Sequence, residues 1–207
     1  MHKLALLFLL LSLPALAQKS TVKEADASIL QVLQVDVDNI YRLDVKTTNG
    51  DTFKASMNTE GEFSTEMVLN LIENGSTWLL NVGFAPGFEP NDDKLGAHKI
   101  VSVDLTLEIP EGKYLMVSGR CLRVSLDGVY DKTEVILDAG NIAARNFKAS
   151  GILSTNEGSI KVYAQDDVAA IVDGSPERVI NELETPATNY LKVRTAKGSV
   201  KLRKAKN

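Results

Sequence analysis

The chain has 207 residues, 44% hydrophobic and 24% charged, with 27 acidic against 23 basic side chains and a formal net charge of −4. That balance argues against a nucleic-acid partner, because phosphate binding needs a basic footprint. The single cysteine, Cys121, excludes an intramolecular disulfide framework. A chain of this size buries of order 70% of its unfolded surface, so one packed core is expected to carry its stability.

The first residues have the three parts of a secretory signal peptide. Lys3 supplies the positive start and Leu4 to Leu13 an apolar run; Pro14 breaks it, and Ala15-Leu16-Ala17 gives the small residues of a cleavage site. The run falls short of the roughly 20 residues that a transmembrane helix needs, and no second apolar stretch suggests a span. Residues 1–17 are therefore expected to be a signal peptide cut after Ala17. Residues 18–207 are expected to form a single all-β domain exported to the periplasm, the cell envelope or the medium. No cysteine sits at the cleavage point to carry a lipid.

Short alternating segments then follow one another. Val35, Val37 and Ile40 to Thr47 lead to Asn49-Gly50, Phe53 to Met57 to Glu60-Gly61, and Met67, Leu69 and Leu71 to Asn74-Gly75. Trp78 to Phe84 end at Ala85-Pro86-Gly87. Asn-Gly pairs tolerate the positive φ of tight turns, so this spacing predicts an antiparallel meander over 28–110. The longest irregular stretch, 85–97, precedes the most regular strand, Ile100 to Ile109. After Pro110 three turns look alike: the segments around Gly140, Gly158 with Ile160-Lys-Val162, and Gly198 with Val200-Lys-Leu202. Gly140 and Gly158 are 18 residues apart, Gly158 and Gly198 are 40, which fits two repeats with one degenerate copy between them. Residues 111–204 are thus expected to stack as rungs of a β-solenoid (β-helix), with a β-sandwich as the alternative. Ser175-Pro176-Glu177 suggests a short helix carrying Val179, Ile180 and Leu183.

The stretch Asp93 to Lys99, running into a strand that ends Leu107-Glu108-Ile109-Pro110, resembles exported Bacteroidota proteins of unknown function, near the broad "putative adhesin" β-repeat family. The glycine turns before Ile160-Lys-Val162 and Val200-Lys-Leu202 resemble that family's repeat. The resemblance covers about residues 28 to 204. It implies a stacked-strand, solenoid-like fold in the cell envelope, and it carries over no catalytic or ligand residues.

Chemistry-bearing residues are sparse. His98 is the only histidine after the signal peptide, so a Ser-His-Asp or Cys-His arrangement must use it. Lys94 and Lys99 lie close by and no sequence-adjacent carboxylate orients it, so it reads as a structural residue of the loop. Glu89, Asn91, Asp92 and Asp93 place four oxygen-bearing side chains on the 86–98 loop. They are a partial calcium shell at best, and a solvated acidic loop otherwise. Asp36 and Asp38 share a strand face at the spacing of a glycosidase pair, or are simply its wet side. Asp166 and Asp167 point to opposite faces if extended. Cys121 shares its phase with Arg123 and Ser125, which leaves it partly exposed and most simply an inert thiol. Lys192, Arg194, Lys197, Lys201, Arg203, Lys204 and Lys206 crowd the C-terminus. They either dock on an anionic envelope polymer or lipid surface, or guard a final edge strand against pairing.

The expected function is a non-catalytic cell-envelope β-repeat protein for adhesion, scaffolding or self-association, with an envelope polymer or another protein as partner and no cofactor. The alternative is an exported protein that binds a ligand or calcium through the 86–98 loop. A polysaccharide-acting enzyme comes third.

Overall fold

The computed structural model describes residues 19–88, 101–183 and 186–205. Its strands are, in chain order, β1 (Lys19–Asp26), β2 (Val32–Asp36), β3 (Arg42–Thr48), β4 (Thr52–Glu60), β5 (Met67–Asn74), β6 (Thr77–Phe84) and β7 (Ser102–Pro110). There follow β8 (Tyr114–Gly119), β9 (Arg123–Ala139), β10 (Asn141–Glu157), β11 (Ile160–Ala164), β12 (Val168–Gly174), β13 (Arg178–Asn181), β14 (Asn189–Lys197) and β15 (Ser199–Lys204). One 3-10 turn, Ser64–Glu66, is the only helical element among the described residues. The all-β expectation holds.

The strands form two ladders joined by β9 and β10. The first runs β1-β4-β7-β3-β9-β10-β11-β15-β13. The second runs β5-β6-β2-β8-β9-β10-β14-β12. The first halves of the two long strands lie in the first ladder and their second halves in the second. Between the halves both strands bend, and their register shifts from Arg145 to Ser150. Asn146 takes a left-handed φ of 45° at this corner, and Gly128 a φ of 120°.

Alternation explains why these segments are strands. In the first ladder Leu105, Leu43, Val124, Ile142, Ile160 and Val200 stand side by side in register, all facing inward and all buried. Val35, Val117, Val135, Leu153 and Val193 form the matching column of the second ladder. Both columns belong to one contiguous apolar cluster. Each such side chain contributes roughly 1.5–3 kcal/mol of burial, offset largely by the entropy of ordering the chain. No single strand buries its apolar face alone.

The glycine turns of neighbouring strands lie directly against one another. Gly158 donates its N–H to Lys197 O (2.8 Å) and Gly140 donates to Glu157 O (2.8 Å). Gly158 and Gly198 have φ of 144° and 140°. A Cβ on Gly158 would run into the carbonyl oxygen of Gly140, and one on Gly198 into that of Gly158. Only glycine meets both conditions. Buried Thr155 and Thr195 brace the same turns. Thr155 shares its hydroxyl hydrogen between Gly140 O (3.1 Å) and Glu157 O (3.2 Å), and Thr195 between Gly158 O (3.0 Å) and Lys197 O (3.3 Å).

Several sequence expectations are corrected. The 28–110 region is not an antiparallel meander. β3 pairs in parallel with β7 and β9, and β2 pairs in parallel with β6 and β8. Asn49-Gly50 turns the chain, but β3 and β4 flank β7 instead of pairing with each other. Of the three turns, only Asn74-Gly75 closes a hairpin, with Asn74 opposite Thr77. A turn signal fixes a change of direction and leaves the partner to non-local burial. The degenerate repeat copy does not lie between its neighbours either. β14 and β15 come last in the chain yet insert inside β12 and β13, so Gly158 and Gly198 are adjacent in the stack despite their separation in sequence. The short helix is instead β13: two turns of helix are marginal in water, whereas the side of β15 offers ladder partners at once. Glu177 N–H donates to Gly198 O (2.8 Å) and Glu182 N–H to Leu202 O (2.9 Å). β15 is consequently no edge strand.

Candidate functional site

The calcium candidates Glu89, Asn91, Asp92 and Asp93, and His98, lie outside the described residues. Among the described residues no group of three or more His, Cys, Asp or Glu side chains converges as a metal site. Asp36 and Asp38 serve the backbone. Asp36 Oδ1 accepts the Asp38 N–H (3.0 Å), and Asp38 Oδ1 accepts the Arg120 N–H (2.8 Å). Asp167, at a φ of 70°, accepts the Thr188 N–H at 2.6 Å. That bond, with the Thr188 side chain, holds its carboxyl below the usual range. Cys121 is 2% exposed, which corrects the partly exposed expectation. It precedes β9, so the phase of that strand does not govern it. Its thiol faces Tyr41 O (3.3 Å) and Arg123 O (3.2 Å), and burial pushes its pKa up. A thiol in that setting is inert.

Three of the C-terminal cations are engaged with nearby carboxylates: Lys192 with Asp173 (3.0 Å), Lys197 with Glu157 (2.7 Å) and Arg203 with Glu182 (3.1 Å). Lys206 lies outside the described residues.

A different basic cluster forms on the outer face of the first ladder. There β3, β9, β10 and β11 run in parallel and in register. Arg42 stands beside Arg123, and Asp44 beside Ser125. Ser125 stands beside Ala143, and Ala143 beside Lys161. Ser125 and Ala143 are small beside the long Arg123, Arg145 and Lys161, so the face sinks into a trough of about 730 Å³. That volume is within the range of small-molecule sites, roughly 300–1,000 Å³. Five cations, Arg42, Lys46, Arg123, Arg145 and Lys161, line it against two carboxylates, Asp44 and Asp127. Arg42 reaches Asp104 at 3.5 Å; the other four cations have no ion pair among the described residues. Asp127 accepts a hydrogen bond from the Asn146 side-chain amide (3.1 Å).

This arrangement suits recognition of anionic groups by exposed guanidinium and ammonium donors. Nothing local in the sequence marks it. Each segment, such as Arg42-Leu-Asp-Val-Lys46 or Arg123-Val-Ser-Leu-Asp127, reads as an ordinary wet face until the parallel register places the segments together.

No protein-family model matches the sequence, and no curated protein matches it. Solved structures do resemble it. The chain shares its fold with a "putative cell adhesion protein" of Clostridium sporogenes ATCC 15579. The match has a TM-score of 0.63 at 12% identity and covers 91% of this chain and 100% of that one. A "putative adhesin" from Parabacteroides merdae ATCC 43184 has a TM-score of 0.45 at 13% identity, covering 88% of this chain and 80% of that one. A "putative lipid binding protein" from Parabacteroides distasonis ATCC 8503 has a TM-score of 0.42 at 12% identity, covering 91% and 97%. The description of the Clostridium protein as a cell adhesion protein agrees with the sequence resemblance. At such identity the likeness is one of fold.

Proposed function

We propose that this chain is a non-catalytic cell-envelope module that works by presenting its outer strand faces to a partner, in adhesion, scaffolding or self-association. The observation that carries the reading is the trough itself: recognition groups spread over an open face of parallel strands, not gathered in an enclosed cleft. The shared fold with a protein described as a cell adhesion protein supports it, as does the signal-peptide pattern of residues 1–17. On this reading the parallel tiers are rungs of a β-solenoid, wound so that the last two strands return inside the preceding pair, and residues 18–207 act as one unit. Such a surface gains affinity from many contacts of modest strength.

The test is fractionation of cells expressing the tagged chain, followed by co-sedimentation of the purified protein with isolated envelopes. The expected result is an N-terminus beginning at Gln18 and retention in the envelope pellet. An intact leader with cytosolic recovery, or a protein that stays wholly in the supernatant, overturns the proposal.

A further inference from the structure

We propose that the Ser125–Ala143 trough binds an acidic polysaccharide, a chain of sugars carrying carboxylates, laid across β3, β9, β10 and β11. The inference rests on the reading of this protein as a binding module and names the partner of that face. Arg42 and Arg123 stand at one end of the rungs, Lys161 on the far side of Ala143, and Arg145 with Lys46 at the bend. Neighbouring strands lie roughly 4.8 Å apart, so the four strands spread these cations over about 14 Å. One carboxylate or phosphate cannot satisfy charges so dispersed; a repeating anion can. The track continues, because Lys201 on β15 stands in register beside Lys161.

The two carboxylates decide which repeating anion fits. Asp44 and Asp127 repel any polyanion, and a polyphosphate, which has no hydroxyl donors along its chain, offers them nothing in return. They accept hydrogen bonds from sugar hydroxyls, which a sugar acid offers beside each carboxylate. Ser125 and Asn141 add neutral polar groups to the same floor. The small floor lets a sugar ring approach the sheet, and the aliphatic stems of the surrounding Arg and Lys cover its C–H faces. The acidic balance of the whole chain, −4, opposes indiscriminate attraction of polyanions and leaves the trough as a local exception.

Isothermal titration of the purified protein with polygalacturonate, its methyl-esterified form and inorganic polyphosphate, at low and physiological salt, tests this. Polygalacturonate is expected to bind, more weakly as salt rises, and the neutral ester is not. Arg123→Gln with Lys161→Gln should weaken binding about tenfold or more. Ala143→Gln, which fills the floor without changing charge, should do the same. Lys192→Gln with Arg194→Gln, on the second ladder, should change it less than about twofold. Absence of polygalacturonate binding, equal binding of the ester, equal or tighter binding of polyphosphate, or equal losses from both double variants would each overturn the proposal. Retention on envelopes without affinity for polygalacturonate overturns the trough alone; loss of both removes the envelope reading as well.

Discussion

The two halves of the molecule reach one contiguous core by different means. Up to β8 the chain mixes antiparallel and parallel pairings and fills its interior with bulk. Trp78 packs edge-on against Phe53 at 5.5 Å, with Met57 and Met67 also buried. From β9 onward every described pairing is parallel. The interior columns there are mostly Val, Ile, Leu and Ala, and the corners are set by stacked glycines and buried threonines. The first half tolerates irregular connections because large side chains fill what the backbone leaves open. The second has little bulk to spare and depends on exact repetition at its turns.

Substitutions can break or sharpen this contrast. Trp78→Ala should cost the most, about 3–5 kcal/mol in urea unfolding, as expected for a wholly buried aromatic; a loss under about 1 kcal/mol would show that bulk is not what holds the first half. Gly158→Ala should cost roughly 3 kcal/mol, since it forces a side chain into a φ of 144° and against the Gly140 carbonyl. Its counterpart in the first half, Gly83→Ala, meets nothing within 4 Å and should stay within about 0.5 kcal/mol. Equal effects at the two glycines would erase the distinction. Thr195→Val removes one buried hydroxyl and its bonds to the corner carbonyls, for about 1 kcal/mol in the same assay.

At the corner that joins the two ladders, Tyr130 donates its hydroxyl hydrogen to Val45 O (3.2 Å) and lies 6.0 Å from the ring of Phe147. Burial pushes its phenol pKa well up from the ordinary 10.0. The folded state therefore holds this proton more tightly than the unfolded chain does. The resulting stability is fully present below about pH 10 and is lost as the pH climbs toward the folded value. Absorbance titration should show Tyr130 ionising only together with loss of the β circular dichroism signal. A phenol that titrates normally in the folded protein would contradict its burial. Smallest of all should be the effect of Arg123→Gln with Lys161→Gln on unfolding, within about 0.5 kcal/mol, because both side chains are exposed and unpaired among the described residues.

Much of the strand content was legible because alternation is a local property. Ile100 to Ile109 anticipates β7, and the segments after Gly158 and Gly198 anticipate β11 and β15. The glycine corners were legible too, since the conformation they require is written in single residues. Partners were not. Nothing in Asn49-Gly50 says that β3 and β4 will flank β7, and nothing in the spacing of Gly158 and Gly198 says that the intervening strands β12 and β13 lie outside β14 and β15. The trough failed to show for the same reason: Ser125 and Ala143 make a floor only once β9 and β10 pair in register. Val179 and Ile180 have the spacing of a helical stripe, and the strand side that β15 supplies is absent from their local sequence.

The continuity of β9 and β10 through both ladders has a consequence for how the molecule opens. Each is hydrogen-bonded along both flanks: β9 to β3 and β8 on one side and to β10 on the other, and β10 to β9 on one side and to β11 and β14 on the other. They form a keel. Fraying begins at the outermost strands, above all at β13, which is short and mostly solvent-facing, and it cannot reach the keel without dismantling the strands on either side. Amide protons of β9 and β10 should accordingly exchange with deuterium only through whole-molecule opening, and those of β1 and β13 through local excursions.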